Sequence, residues 1–600
     1  MATRFVSDRN IRFTLFEVLA ADSLTTYPYY KAHSRKTFDM IIDAAMKLSK
    51  TLMHPIFEEM DRKPPEMINN EVHVHPHVKK IMREAGEGGW IASIFPYDLD
   101  GEQLPWIMAG ICSHIFCASN YSASVYPELA RGAANLIASF GNEDQKKTYL
   151  PNLLNGVWQG TMALTEPEAG SGLADITTMA YPVTDGIYKI KGQKVFISAG
   201  DHNGVDNVVH LMLAKIEGAP AGVKGISLFI VPKKRISADG KLVSNDVAVS
   251  QIFHKMGYRG CPITQLAIGE KNDCMGYLVG EPNKGLFYMF QMMNESRLGV
   301  GLAATSIATA AYYAALEYTK GRRQGRRPDQ KDPSTPMIPI IEHSDVKRML
   351  LFQRAVSEGA LSLIMQCFKY ADLKIADPEN GEKYHLLLEI LTPIAKTYPS
   401  EMACLSVSQS IQCLGGYGYC DDFPVEQHYR DTRIHPIHEG TTGIQGMDIL
   451  GRKVTMSNGK AFLLFIDEVN ETIKKALEKE GLNHLAGELK ASLETLEKVT
   501  GALVKIAREK GPEVFLSDAT LYLEMFSNVT IAWQWLTQAI VADTALGKKC
   551  SENDTNFYQG KLHTCRYFFG YELPKNLGLE KRLLDPDTVT VDMQTKYFTD

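Results

Sequence analysis

The chain has 600 residues, a net charge of −6 and 22% charged residues, spread without acidic or basic blocks apart from the run GRRQGRR. Phosphate-backbone binding needs a concentrated Lys/Arg surface, so nucleic acid is excluded as the main partner, while the length allows two to four packed units around an internal pocket. Ten scattered cysteines without a C-x-x-C pair support neither a metal site nor a disulfide framework, and the amino terminus lacks an apolar signal core, so a reduced cytoplasmic setting is expected.

Residues 1–35, beginning MATRFVSDRNIRF, form an N-terminal extension. From 36 to 156 apolar residues recur at helical spacing, as in FDMIIDAAMKLSKTLMHPIFEEM, with loops at KPPE and EAGEGG, which predicts a helical domain. From 157 to 280 the texture changes to GTMALT, GIYKIKGQKVFIS, NVVHLMLAKI, GISLFIVPK and ITQLAI. Alternation and bounding turn residues predict strands. Helical spacing returns from 281 to 455, including SDVKRMLLFQRAVSEGALSLIMQCF and the uncharged run Leu298–Leu316. That run is rich in Ala, Ser and Thr, and is expected to be a buried helix and no integral membrane segment. Residues 456–600 add an extra helical domain, whose Glu and Lys three or four apart read as solvated faces with local ion pairs. The class is mixed α and β, with a β unit inserted between helical ones.

Five segments carry chemistry. TEPEAGSG, Thr165–Gly172, ends a strand in small residues whose backbone N–H groups suit an anion or a polar ring edge, or simply form a surface turn. VFISAG places Phe196 and Ser198 on one strand face, where they would flank a flat ring unless Phe196 is core. GRRQGRR offers arginine forks for phosphate or a solvated helix end. QCLGGYGY has glycines suited to close ligand approach or to a helix C-cap, without the G-x-G-x-x-G spacing of a dinucleotide fold. In RIHPIHEGTTGIQGMDILGRK, residues 433–453, Glu439 stands between His438 and Gly440. Partial desolvation would raise its pKa toward that of a general base, and a carboxylate near the start of the following helix is the alternative.

In this order the segments ALTEPEAGS, KGQKVFISAG, FHKMGYRGCP, QCLGGYGY, PVEQHYRDTRI and IHEGTTGIQ, with Arg322 and Gln324 after a helix, resemble the acyl-CoA dehydrogenase family over residues 40–455. The run EGTTGIQGMDILGRK and the helical tail are most similar to its branch containing 3-methylmercaptopropionyl-CoA dehydrogenase. The resemblance implies an N-terminal helical domain, a β-barrel-like middle domain, a four-helix-bundle C-terminal domain and the extra region. It implies FAD, with Leu164, Thr165 and Ser198 near the flavin ring, Phe196 over one face, Ser171 by the pyrophosphate and Thr441 in contact. Arg322, Gln324, Gln412, Gly415 and Gly416 would serve the adenine half of FAD in a neighbouring subunit, making a homodimer the minimum unit.

Glu439 matches the family base that removes the α proton of an acyl-CoA thioester while the β hydrogen leaves as hydride. The thioester oxygen would meet the Glu439 backbone N–H and an FAD hydroxyl. Ser171, Asn294, Arg297 and Gly440 match positions at the substrate. Another branch carries its base just before an Arg of the first C-terminal helix; here that position is Ser296, and Glu295 is about 100° away round the helix. The loop reads GSG where many relatives have GSD, Phe196 replaces a frequent Trp, and GRRQGR lacks the usual phenylalanine. Glu128 and Arg131 are expected to face solvent or serve structure, with lining of the acyl pocket as the alternative, and His438 has no assigned role. An electron-transfer flavoprotein is the implied acceptor. The alternatives are an acyl-CoA oxidase, which would form peroxide, and a non-catalytic assembly or membrane-docking protein, which would lack flavin.

Overall fold

The alternating segments of the middle of the chain do become strands. The computed structural model describes residues 4–585 and 587–599, and of residues 291–293 the backbone alone. It forms two compact units, Asp39–Ser296, and Met1–Phe38 together with Arg297–Asp600.

In the first unit, helices α1 (Trp106–Ser119), α2 (Tyr121–Phe140) and α3 (Glu143–Leu154) precede the sheet. Asn120 caps α2 by accepting from the Ala123 N–H at 3.1 Å, and Asn142 with Gln145 forms a capping box on α3. The strands are β1 (Trp158–Ala163), β2 (Met179–Thr184), β3 (Ile187–Ser198), β4 (Asn207–Ile216), β5 (Ile226–Pro232), β6 (Val247–Ile252), β7 (Ile263–Ile268) and β8 (Met275–Leu278). They run in the order β6-β7-β3-β8-β5-β4-β1, and β2 pairs with both β3 and β4. That double pairing closes the ring β2-β3-β8-β5-β4 into a barrel with no free edge inside it. Ile190, Ile197, Met212, Phe229, Val231 and Leu266 fill its core.

In the second unit, α4 (Gly285–Gly321) runs on from the strand-containing unit and holds the uncharged segment. It is long and apolar enough to cross a bilayer, but 89% of its apolar window is buried inside the protein. With it are α5 (Ser344–Ala376), α6 (Gly381–Leu414), α7 (Val425–Thr432), α8 (Thr442–Asp448), α9 (Lys460–Leu477), α10 (Asn483–Lys510), α11 (Ala519–Leu546) and α12 (Glu552–Tyr567). A Cβ on Gly301 would meet the Ala395 carbonyl oxygen at 1.9 Å. Only glycine lets α4 and α6 come this close, one turn from Arg297. Gly301→Ala is therefore expected to cost about 1–3 kcal/mol by overpacking, read as a lower urea midpoint of the helical signal; an unchanged midpoint would show that the helices slide apart freely.

The extra helical region packs on α5 through α11. Trp535 donates to the Ala355 carbonyl at 2.9 Å, and Ser362 donates to Gln534 at 2.7 Å. The N-terminal segment joins them, because the buried Lys561 ammonium of α12 donates to Asn10, Glu358 and Gln538 at 2.6–2.8 Å.

Candidate active site

In the strand-containing unit, β1 ends at Ala163 and the chain turns through Leu164, Thr165 and Glu166. Glu166 and Ala169 exchange backbone hydrogen bonds at 3.0 and 3.1 Å, which closes the turn. The turn is fastened to β3, since the Val195 N–H donates to the Thr165 carbonyl at 2.9 Å and the Lys194 ammonium donates to the Leu164 carbonyl at 3.0 Å. Lys194 also pairs with Glu166 at 2.8 Å, both side chains almost fully buried. Burial alone would raise the Glu166 carboxyl, but the Lys194 charge and hydrogen bonds from Lys194, Thr178 and Thr177 outweigh it and hold the carboxyl down to about 2. Burial lowers Lys194 to about 8 against the pull of Glu166.

Phe196 lies in a bulge of β3, where the register against β7 shifts between Thr264 and Leu266. Its φ is +59°, and its ring is 61% exposed with Phe253 at 4.9 Å. A bulge re-aims a side chain, and a large aromatic left open on a strand end offers a face to a flat ligand. The core alternative for Phe196 is thus excluded. Ser198 is half-buried two residues on, and Ser171 is exposed between Gly170 and Gly172, neither of which has an atom within 4 Å of an added Cβ.

In the other unit, the turn between α7 and α8 carries Glu439. The His435 N–H donates to Thr432, the Ile437 N–H to Ile434, and the Thr442 N–H back to Pro436 at 3.1 Å. Buried Gln445 donates to the Glu439 carbonyl at 3.3 Å. Glu439 and Gly440 both sit at positive φ, +55° and +91°. For a glutamate that costs roughly 1–3 kcal/mol and persists only where the surroundings impose it. Thr441 caps α8 by accepting from the Ile444 N–H at 3.4 Å, so Glu439 is not the helix cap that its sequence position also allowed.

Among the described residues the Glu439 carboxylate and its backbone N–H have no hydrogen-bond partner. Glu439 keeps solvent-exposed surface, yet its carboxyl is densely surrounded by protein. That crowding raises its carboxyl above the ordinary range, while Arg297 and Lys396 pull it back down. His438 binds the Ile434 carbonyl through Nδ1 at 3.0 Å, and burial holds it down to about 4, so it braces the turn as a neutral ring.

Arg297, expected at the substrate, is instead buried, and its guanidinium pairs with Asp448 of α8 at 3.1 Å. Glu295 accepts from Asn135 at 3.0 Å within the strand-containing unit; Asn294 is half-buried one residue earlier. Glu128 and Arg131 pair with each other, and Ser113 donates to Glu128 at 2.5 Å, a structural role.

After α4, Arg323 and Arg326 donate to carbonyls of the following loop and Arg327 approaches Glu342 at 3.6 Å. Arg322 and Gln324 are exposed, without a side-chain partner among the described residues. Gln412, Gly415 and Gly416 are exposed at the end of α6, Gly415 with φ +61°. Phe423 joins the two segments, touching Tyr318 at 5.5 Å and Tyr417 at 5.7 Å.

Two residues that sequence reasoning missed are Lys194 and Lys396, each fully buried and each bonded to the backbone of a candidate site loop. The available signal was a lone cation inside an apolar stretch, KVFI and TPIAKTYP.

Family models match almost the whole chain: the acyl-CoA dehydrogenase N-terminal domain over 36–157, the middle domain over 161–270, the C-terminal domain over 283–454 and an acetyl-CoA dehydrogenase C-terminal-like domain over 465–594. Butyryl-CoA dehydrogenase of Syntrophomonas wolfei is 32% identical over 98% of both chains. The 3-methylmercaptopropionyl-CoA dehydrogenase of Ruegeria pomeroyi is 33% identical over 95% of this chain and 97% of its own. The fold is similar to that of acyl-CoA dehydrogenase from Bacillus anthracis complexed with FAD, with a TM-score of 0.73 and 20% identity over 95% of this chain and 90% of that one. With a closed barrel behind the TEPEAGSG turn, an open carboxylate at Glu439 and relatives matched end to end, the chain belongs to the acyl-CoA dehydrogenase family.

Proposed function

We propose that this chain is an FAD-dependent dehydrogenase that converts an acyl-CoA thioester to its 2-enoyl product, with Glu439 as the base. The observation that carries the reading is the Glu439 turn: an accessible carboxylate in a crowded setting, beside its own unpartnered N–H, held at a strained φ by Gln445. A carboxyl lifted above the ordinary range is a stronger base near neutral pH. The Glu439 N–H is a fixed donor for the thioester oxygen, which gains negative charge as the α proton leaves. Gly440 preserves the turn, since a side chain there would strike the Gln445 amide that holds the Glu439 carbonyl.

The residues present fit FAD. Phe196 offers an exposed ring face, Leu164, Thr165 and Ser198 offer polar groups beside it, and Ser171 stands in an open glycine loop. Thr441 accepts from Ile444, which leaves its hydroxyl hydrogen to donate to the cofactor. Arg322 and Gln324, with Gln412, Gly415 and Gly416, form an open polar end suited to the cofactor of a second copy, so the working unit is a homodimer or larger. Bound FAD supplies the acceptor for the β hydrogen with its electron pair. One C–H bond breaks at each carbon, a double bond forms between them, and the proton goes to Glu439. The electrons pass on to an electron-transfer flavoprotein, and the setting is cytoplasmic.

Anaerobic mixing of the yellow protein with a series of acyl-CoAs tests the reading. Bleaching of the flavin by at least one member is expected; flavin-loaded protein that none of them bleaches would contradict it. Because the base must be ionised, the bleaching rate should rise with pH, with a midpoint above the ordinary carboxylate value of 4.5. A rate independent of pH through that range would contradict the lifted carboxyl.

A further inference from the structure

Lys396 lies in the middle of α6 with no exposed surface, among Leu391, Ile394, Ala395 and Tyr398. Burying an ammonium costs several kcal/mol unless charge and hydrogen bonds compensate. Its hydrogen-bond partner is the His435 carbonyl at 2.8 Å, four residues before Glu439. Five residues along the same helix, Glu401 accepts from the Thr442 hydroxyl, three residues after Glu439. One helix thus grips the Glu439 turn at both ends, and the Lys396 charge faces Glu439 as well as Glu401.

We propose that Lys396 is a positioning residue for Glu439, its ammonium fixing the entry to the turn and presenting a positive charge to the carboxylate. This inference rests on the reading of Glu439 as the base. The other charged groups facing the pair are Arg297 of α4, itself tied to Asp448 of α8, and Glu524 of α11, which faces Glu401. His435 and His438 of the turn are held neutral by burial, at about 3 and about 4. Burial lowers Lys396 itself to about 8, so near neutral pH it is charged and Glu439 is the group left to titrate.

The test is the pH profile of anaerobic flavin bleaching in the holoenzyme, for the parent, Lys396→Met and Lys396→Gln. Removing a positive charge favours the protonated carboxyl, so both variants should move the acid limb upward by about one pH unit or more. Lys396→Gln keeps a donor for the His435 carbonyl and should hold the turn better, with the smaller loss of rate at high pH. A purely structural lysine would lower the rate at every pH and leave the limb in place. An unmoved limb in either folded, flavin-loaded variant overturns the proposal. So does failure of both variants to fold, which would assign Lys396 to the core alone. Glu439→Gln is run beside them: if it bleaches like the parent, the base assignment fails, whereas an inactive Glu439→Gln with an unmoved limb in the Lys396 variants refutes only the role of Lys396.

Discussion

Lys194→Met is expected to destabilise the strand-containing unit by about 3–5 kcal/mol, the cost of stranding one partner of a buried ion pair. The lysine and Glu166 are almost fully buried at 2.8 Å, and no solvent can replace the lost charge. Methionine fills the space of the lysine stem, so the loss comes from the unpaired carboxylate and not from a cavity. The Leu164 carbonyl loses its donor at the same stroke, which frees the turn proposed to hold the flavin. The variant should therefore show both a lower urea midpoint and weaker flavin retention. Acid gives a second reading of the same pair. The folded Glu166 carboxyl, at about 2, lies below its ordinary 4.5, so its contribution is complete above pH 4.5 and is lost as pH falls toward 2. The parent should lose stability across that window, and Lys194→Met should lose less. A variant as stable and as acid-sensitive as the parent would remove the pair from the account.

Much of the architecture is legible in the sequence because burial imposes a period. Asn207–Ile216 and Ile263–Ile268 are strands over the full runs their composition marks. Met179–Thr184 carries no such signal: it contains Pro182, most of it is exposed, and it becomes a strand because Ile187–Lys191 and Lys215–Ile216 pair with it from either side. Local pattern cannot report a pairing that closes a barrel.

The candidate site divides in the same way. The side chains of Glu439 and Ser171 stand open, as their small-residue neighbours suggest. The exposure of Phe196 is hidden, because alternation marks it as a possible core residue and the bulge that turns it out depends on β7. Arg297 reads as a cation available to a ligand, yet its partner Asp448 lies 151 residues away, and only folding buries the two together. For Lys396 the sequence shows a charge inside an apolar helix; its bond to the His435 carbonyl comes from helix packing.

Glu439→Gln carries the largest expected effect on activity. Glutamine keeps the shape and the Gln445 contact to the backbone carbonyl, so the strained turn should survive. Its amide cannot accept the α proton, and loss of a positioned general base slows a reaction by about 10²–10⁴-fold. The other described side chains at the turn already have partners: His438 is committed to the Ile434 carbonyl, and Glu401 accepts from the Thr442 hydroxyl.

The most direct measurement is single-turnover bleaching of the bound flavin under anaerobic conditions, at saturating concentration of the acyl-CoA that reduces the parent fastest. The account predicts that Glu439→Gln retains its flavin and binds the acyl-CoA, yet bleaches at least about 10²-fold more slowly. Bleaching at the parent rate would show that the proton leaves by another route, and the assignment of Glu439 would be wrong.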